Sequence, residues 1–211
     1  MKIYPKQENC VKKVFKIAIT GNIGSGKTTA SKLVSELGFK VFESDNEVKK
    51  LYLQKNVKTN ILSAFSKSIE NLQKANTQID TNLLGNYVFE NQSQLRRLEK
   101  IIYPELKKKK EKFIEENINE KALFFDIPLL FEKKLHFFYD KIIYLYIDES
   151  TQRKRVLRRK NMTQKKLKKI LENQTVKISK FEDSISIKIN TNCSRKKLKT
   201  KIKSFLKDIN L

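Results

Sequence analysis

Val14-Phe15-Lys16-Ile17-Ala18-Ile19-Thr20, running directly into Gly21-Asn22-Ile23-Gly24-Ser25-Gly26-Lys27-Thr28, is the stretch that decides the fold. The first part is a β-branched and aromatic run closed by Gly21, the pattern of a buried strand. From Lys27 onward, Ala30, Leu33, Val34 and Leu37 recur at three- and four-residue spacing, which predicts an amphipathic helix. Gly38 stops it, a residue suited to the position just past a helix end. Phe39-Lys40-Val41-Phe42 predicts a second short strand that ends at Glu43-Ser44-Asp45. Strand, glycine-rich loop, helix and strand in this order open a parallel α/β sheet.

Outward from there, residues 46–118 are mostly helical in pattern, with polar breaks between Asn71 and Thr81. Pro104 is expected to start or kink a helix. Ala122-Leu123-Phe124-Phe125-Asp126 predicts a third strand and Ile142 to Ile147 a fourth, separated by Pro128-Leu129-Leu130-Phe131-Glu132. Past Thr151 come two basic helical stretches joined near Asn161-Met162-Thr163, with Thr163 placed to cap the second. Ile185 to Ile189 alternates apolar and polar residues as a fifth strand would, and Ser194 to Leu206 reads as a last amphipathic helix. Residues 1–13 carry no periodicity and read as an N-terminal extension. No repeat or low-complexity linker divides the rest, so one domain over about 14–210 is expected.

Gly21 to Thr28 fits G-x-x-x-x-G-K-[ST] without a mismatch. Its glycines allow torsions that turn successive N–H groups inward around phosphate oxygens, and the helix that begins near Lys27 adds its positive dipole end. In that role Gly21, Asn22, Ile23, Gly24, Ser25 and Gly26 cradle the phosphates of ATP. Lys27 reaches the β- and γ-phosphates, and the Thr28 hydroxyl ligates Mg²⁺. Asp45 stands just past the second strand, at the edge where open α/β sheets bind ligands. It fits either a carboxylate that takes or orients the proton of an attacking hydroxyl, or a helix N-cap. Asp126, ending an apolar strand, fits a Walker-B-type Mg²⁺ carboxylate. Arg155 and Arg159 share one helix face, where two guanidiniums converge on phosphate oxygens or simply meet solvent.

These residues together resemble the dephospho-CoA kinase family. The resemblance rests on Gly21 to Thr28, Glu43-Ser44-Asp45, Asp126-Ile127-Pro128-Leu129-Leu130-Phe131-Glu132 and Gln152-x-x-Arg155-x-x-x-Arg159, in that order. Gln174, Lys180 and Ile189-Asn190-Thr191-Asn192 extend it. It implies a P-loop kinase core with a helical substrate-binding part and a lid, here about 46–118 and 151–163. The implied reaction is transfer of the γ-phosphoryl of ATP to the 3′-hydroxyl of dephospho-CoA, the last step of coenzyme A synthesis. Asp45 matches the carboxylate proposed as general base, Arg155 and Arg159 the lid arginines, and Pro128 to Glu132 a segment lining the acceptor site. Four positions depart from the family pattern. Glu43 stands for the usual Asp, Lys49 for Arg, Tyr103 for His, and Lys160 for the Asp after the second lid arginine. A lysine balances phosphate charge but lacks the bidentate fork of arginine.

Composition narrows the remaining classes. Of 211 residues, 46 are Lys or Arg against 23 Asp or Glu, a net charge of +23. That invites a nucleic-acid reading. The charge is diffuse, however, with Lys107 to Lys110 followed by Glu111, Glu115 and Glu116 as on a solvated helix face. Nucleic acid is therefore not expected as the principal partner. The longest apolar stretch, Ala122 to Phe131, is far short of the roughly 20 residues that span a bilayer, and the first residues hold no apolar signal core. Cys10, Cys193 and the single His136 cannot build a zinc site of familiar spacing. A cytoplasmic monomer is expected. Another small-molecule or nucleotide P-loop kinase, and a basic nucleic-acid-binding P-loop protein, remain as the competing readings.

Overall fold

The structure is a computed structural model that describes residues 14–211 except 75, 161, 173 and 175. The predicted extension 1–13, with Cys10, lies outside the described residues. Five strands form one sheet: β1 Phe15–Thr20, β2 Lys40–Glu43, β3 Ala122–Asp126, β4 Lys141–Tyr146 and β5 Ile187–Asn190. Their order is β2-β3-β1-β4-β5, and every pairing is parallel. Parallel neighbours need crossover connections, so helices cover both faces and the central strands are apolar on both.

The two-residue period of the strands splits the core accordingly. Ile17, Ile19, Phe124, Ile143 and Leu145 face one side. There they meet Ala30, Leu33 and Val34 of α1 (Lys27–Glu36) and Leu198, Ile202, Phe205 and Leu206 of α8 (Arg195–Asp208). Ala18, Leu123, Phe125, Ile142 and Tyr144 face the other side, packed with Leu130 and Phe131 from the turn after β3. The helical middle consists of α2 (Ser44–Leu51), α3 (Lys55–Phe65), α4 (Thr81–Glu90) and α5 (Gln92–Glu116). It builds a third core of its own from Leu51, Ile61, Phe65, Leu84, Val88, Leu98 and Ile102. Pro104 lies inside α5 rather than at its start. The polar break of 71–81 is a turn that still buries Leu72 and Ile79 and is closed by a bridge between Gln73 and Ile79. The two basic stretches are α6 (Glu149–Leu157) and α7 (Gln164–Glu172), and the Thr163 hydroxyl accepts from Lys166 N at 3.2 Å.

This topology puts the loop after β1 between the ends of β3 and β4. In register, Asp126 lies beside Ile19 on one side and Glu43 on the other. Three carboxylates, Glu43, Asp45 and Asp126, thus gather at the carboxyl edge of the sheet, next to the glycine-rich loop. No helix among the described residues is long and apolar enough to cross a membrane.

Candidate active site

The loop from Gly21 to Gly26 has its shape because three glycines take positive φ: 147° at Gly21, 80° at Gly24 and 91° at Gly26. Gly21 has a second reason. A Cβ there would lie 2.1 Å from the carbonyl oxygen of Leu145 on β4, so only glycine lets the loop leave β1 against its neighbour. Gly21→Ala should therefore cost at least about 2 kcal/mol of stability through overpacking and strain. Gly38→Ala is the control. Gly38 also has positive φ, but nothing lies within 4 Å of its added Cβ, so about 1 kcal/mol is expected. Urea unfolding of the two variants checks this, and equal losses would remove the steric argument.

The helix behind the loop is uncapped: Gly26 occupies the N-cap of α1 and no side chain accepts from its first turn. The first helical N–H groups have no partner within a helix, so they are left for an anion, with the helix dipole behind them. Lys27 Nζ folds back across the loop, donating to Gly21 O at 2.7 Å and Asn22 O at 3.3 Å. Burial lowers its pKa from the usual lysine value; Asp126, Asp45 and Glu132 push it back up, and nearby Arg159 pushes it further down. All five of these charged groups line one cavity. Thr28 is exposed at the mouth of the same cavity.

The carboxylate of Asp126 is only partly satisfied by the protein. Its Oδ2 accepts from Ser31 at 3.3 Å, while its buried Oδ1 has no protein partner. Burial raises its pKa from 3.8 to about 6, helped by Asp45 and Glu43 and opposed by Lys27 and the Ser31 hydroxyl. An orphaned, buried carboxylate oxygen beside further acids suits a divalent cation. Mg²⁺ takes one or two protein carboxylates plus phosphate and water, a demand that this donor set fits.

The Asp126 shift carries a stability consequence. Below about pH 3.8 the carboxyl is protonated folded or unfolded; above about 6 it is ionised in both, and the folded state bears the whole cost. That cost is on the order of 2–3 kcal/mol. Asp126→Asn should accordingly raise stability at about pH 8 and lose the gain by about pH 3.5, as functional charges often trade stability for activity. Thermal unfolding at the two pH values reads it directly, and no gain at the higher pH would contradict the burial argument.

Asp45 is the second residue of α2, whose N-cap position belongs to Glu43, so neither Ser44 nor Asp45 caps that helix. Its carboxylate is exposed and lines the cavity. Glu43 accepts from Asn46. Arg155 and Arg159 also line the cavity, whereas Arg153 turns away to Glu149 at 3.3 Å and Arg158 is exposed. The two cavity arginines differ. Arg155 is anchored, donating to Thr191 O at 3.0 Å and Thr191 Oγ1 at 3.3 Å; Arg159 is exposed near Lys27.

The cavity, about 990 Å³, runs from the loop past Asp45, Asp126 and Glu132 to α5, where Arg96, Tyr103 and Leu95 line its far wall. Tyr103 donates to Glu99 at 2.8 Å, and Lys133 reaches the same carboxylate at 2.7 Å. Lys49 is exposed and near Asn46 rather than on the cavity wall. Sequence reasoning missed Ser31, although a serine on the buried stripe of α1 is itself a signal. Thr191, which the sequence offers only as part of the Ile189 to Asn192 resemblance, donates its hydroxyl to Ser25 O at 2.8 Å and ties the end of β5 to the loop.

Comparison with known proteins bears on this site. The dephospho-CoA kinase family model matches residues 15–194. A dephospho-CoA kinase of Fusobacterium nucleatum is 34% identical over 200 residues, 92% of this chain and 97% of that protein. Among solved structures, a Thermus thermophilus protein has a TM-score of 0.77 at 22% identity, covering 93% of this chain and 98% of its own. The dephospho-CoA kinase from Campylobacter jejuni has a TM-score of 0.63 at 25% identity, over 92% and 96%.

Proposed function

The chain belongs to the dephospho-CoA kinase family, and from that premise we infer that it is a kinase that phosphorylates dephospho-CoA to coenzyme A, with ATP as donor and the 3′-hydroxyl as acceptor. The observation that supports this best is the single cavity joining the phosphate loop, the acidic sheet edge and the wall of α5. It has room for a triphosphate at one end and a long acceptor at the other.

The division of labour follows from charge and position. Phosphoryl transfer needs little covalent help from a protein, so positioning and charge neutralisation are the main tasks. The uncapped turn of α1 and the loop would bind the β- and γ-phosphates, with Lys27 supplying a full positive charge between them. Thr28 and Asp126 would hold Mg²⁺, which supplies neutralisation of the phosphate oxygens when bound. Asp45 would orient the acceptor hydroxyl and take its proton. Arg155 and Arg159 would balance the negative charge on the transferring group. The domain of about 14–210 would then work as one unit. Residues 46–118 would hold the acceptor, and about 151–163 would serve as a lid.

A direct test of the acceptor atom uses dephospho-CoA and its 3′-deoxy analogue. The natural acceptor should gain one phosphoryl group by mass spectrometry. The analogue should compete with it and stay unmodified. Phosphorylation of the analogue would assign the reaction to another oxygen. Cytoplasmic location and a monomeric state extend the reading, the latter checked by sedimentation at working concentration.

A further inference from the structure

Ile23, in the middle of the loop, has both its backbone polar groups taken by side-chain amides that come from far along the chain. Ile23 N–H donates to Gln174 Oε1 at 2.9 Å, and Gln152 Nε2 donates to Ile23 O at 2.8 Å. Gln152 is on α6 and only 7% exposed; Gln174 follows α7. An amide buried this far must find partners, and a loop peptide is an unusual choice when water is near. The approach is close. A Cβ on Gly24 would lie 2.8 Å from Val156 Cγ2 and 3.4 Å from Gln152 Cγ, so α6 rests on the loop at a position only glycine permits.

We propose that Gln152 and Gln174 are positioning residues that set two successive peptide planes of the phosphate-binding loop, one for the seat of Lys27 and one for the Gly24 N–H. In a planar trans peptide, N–H and C=O point in opposite directions. Ile23 N–H belongs to the Asn22–Ile23 peptide. Gln174 draws that N–H to one side and thereby turns Asn22 O to the other, where it accepts from Lys27 Nζ at 3.3 Å and Ser25 N at 3.1 Å. Ile23 O belongs to the Ile23–Gly24 peptide. Gln152 holds that oxygen and thereby points the Gly24 N–H away from α6, at a residue that lines the cavity. Gln174 thus acts on catalysis through Lys27, and Gln152 acts on phosphate binding through a backbone donor. The same two side chains bracket the stretch that carries Arg155 and Arg159, so loop shape and arginine placement share their anchors. The proposal rests on the reading of Gly21 to Thr28 as the ATP site.

The test is a double-mutant cycle on the full chain, with Met replacing Gln because Met keeps the volume and loses the amide. Gln174→Met should lower kcat roughly three- to tenfold, the worth of one hydrogen bond, with the KM for dephospho-CoA unchanged. In a Lys27→Ala background the same change should have no further effect, because the group it positions is gone. Gln152→Met should instead raise the KM for ATP by roughly three- to tenfold and move kcat less. An equal loss from Gln174→Met in both backgrounds would overturn the proposal, since a generally structural residue behaves that way. Wild-type kinetics in both Met variants would overturn it too. If Gln174→Met does not fold, Gln174→Asn, which keeps the amide one methylene short, carries the same cycle. Calorimetric binding of a non-hydrolysable ATP analogue separates this from the functional reading. Weaker binding by Gln152→Met supports the loop geometry whatever the acceptor proves to be, and unchanged binding contradicts it.

Discussion

Lys27→Ala lowers kcat by on the order of 10²-fold or more, the loss expected when a preorganised charge is removed from a site that excludes water. Lys27 is the only residue of the loop that brings a full positive charge, and three acids, Asp126, Asp45 and Glu132, are coupled to it. In the proposed site, removing it would take away the cation that faces the β- and γ-phosphates. It also leaves those acids to repel the triphosphate, so ATP affinity falls along with turnover. The half-buried ammonium is held on Gly21 O and Asn22 O. Steady-state kinetics with calorimetric ATP binding separate the two losses. Near wild-type turnover in Lys27→Ala would mean that the loop binds something other than the transferring phosphate.

Asp45→Asn should lower kcat by about 10²- to 10⁴-fold, the range of a lost general base, with ATP affinity nearly unchanged. The substitution keeps size and most hydrogen bonding but removes charge and basicity. Two observations favour this role over the cap that the sequence also allowed. The N-cap position of α2 belongs to Glu43, and the Asp45 carboxylate faces the cavity that the loop opens into. Asp126 differs in kind: it is half-buried at the end of β3 and bonded to Ser31 on α1. Asp126→Asn should therefore raise the Mg²⁺ requirement where Asp45→Asn leaves it alone. If Asp45→Asn spares kcat and weakens only nucleotide or metal binding, the assignment of roles is wrong.

Much of this was legible in the residues because the decisive signals are local. The run Phe15 to Thr20, the glycines at 21, 24 and 26 and the stripe Ala30-Leu33-Val34 each report backbone or burial demands within a few positions, and β1, the loop and α1 follow them. The Ala122–Asp126 strand agrees to the residue for the same reason. Sheet order could not be read this way. The neighbours of β1 are β3 and β4, more than a hundred residues on, and that pairing depends on packing no short window contains. Gln152 and Gln174 stand out in the sequence only through the family resemblance, and what they hold, the two polar groups of Ile23, appears once the fold carries them to the loop. Pro104 inside α5 shows the reverse case. Local chemistry argues against a proline there, and packing of Leu98 and Ile102 on the helical core keeps the helix running through it.

Transfer of a phosphoryl group from ATP to dephospho-CoA by this chain can be followed as ADP release in a coupled assay. With purified protein, ATP and Mg²⁺, ADP should appear when dephospho-CoA is added and stay at background with nucleoside monophosphates as acceptor. ADP release with a nucleoside monophosphate and none with dephospho-CoA would make the chain a kinase of a different acceptor.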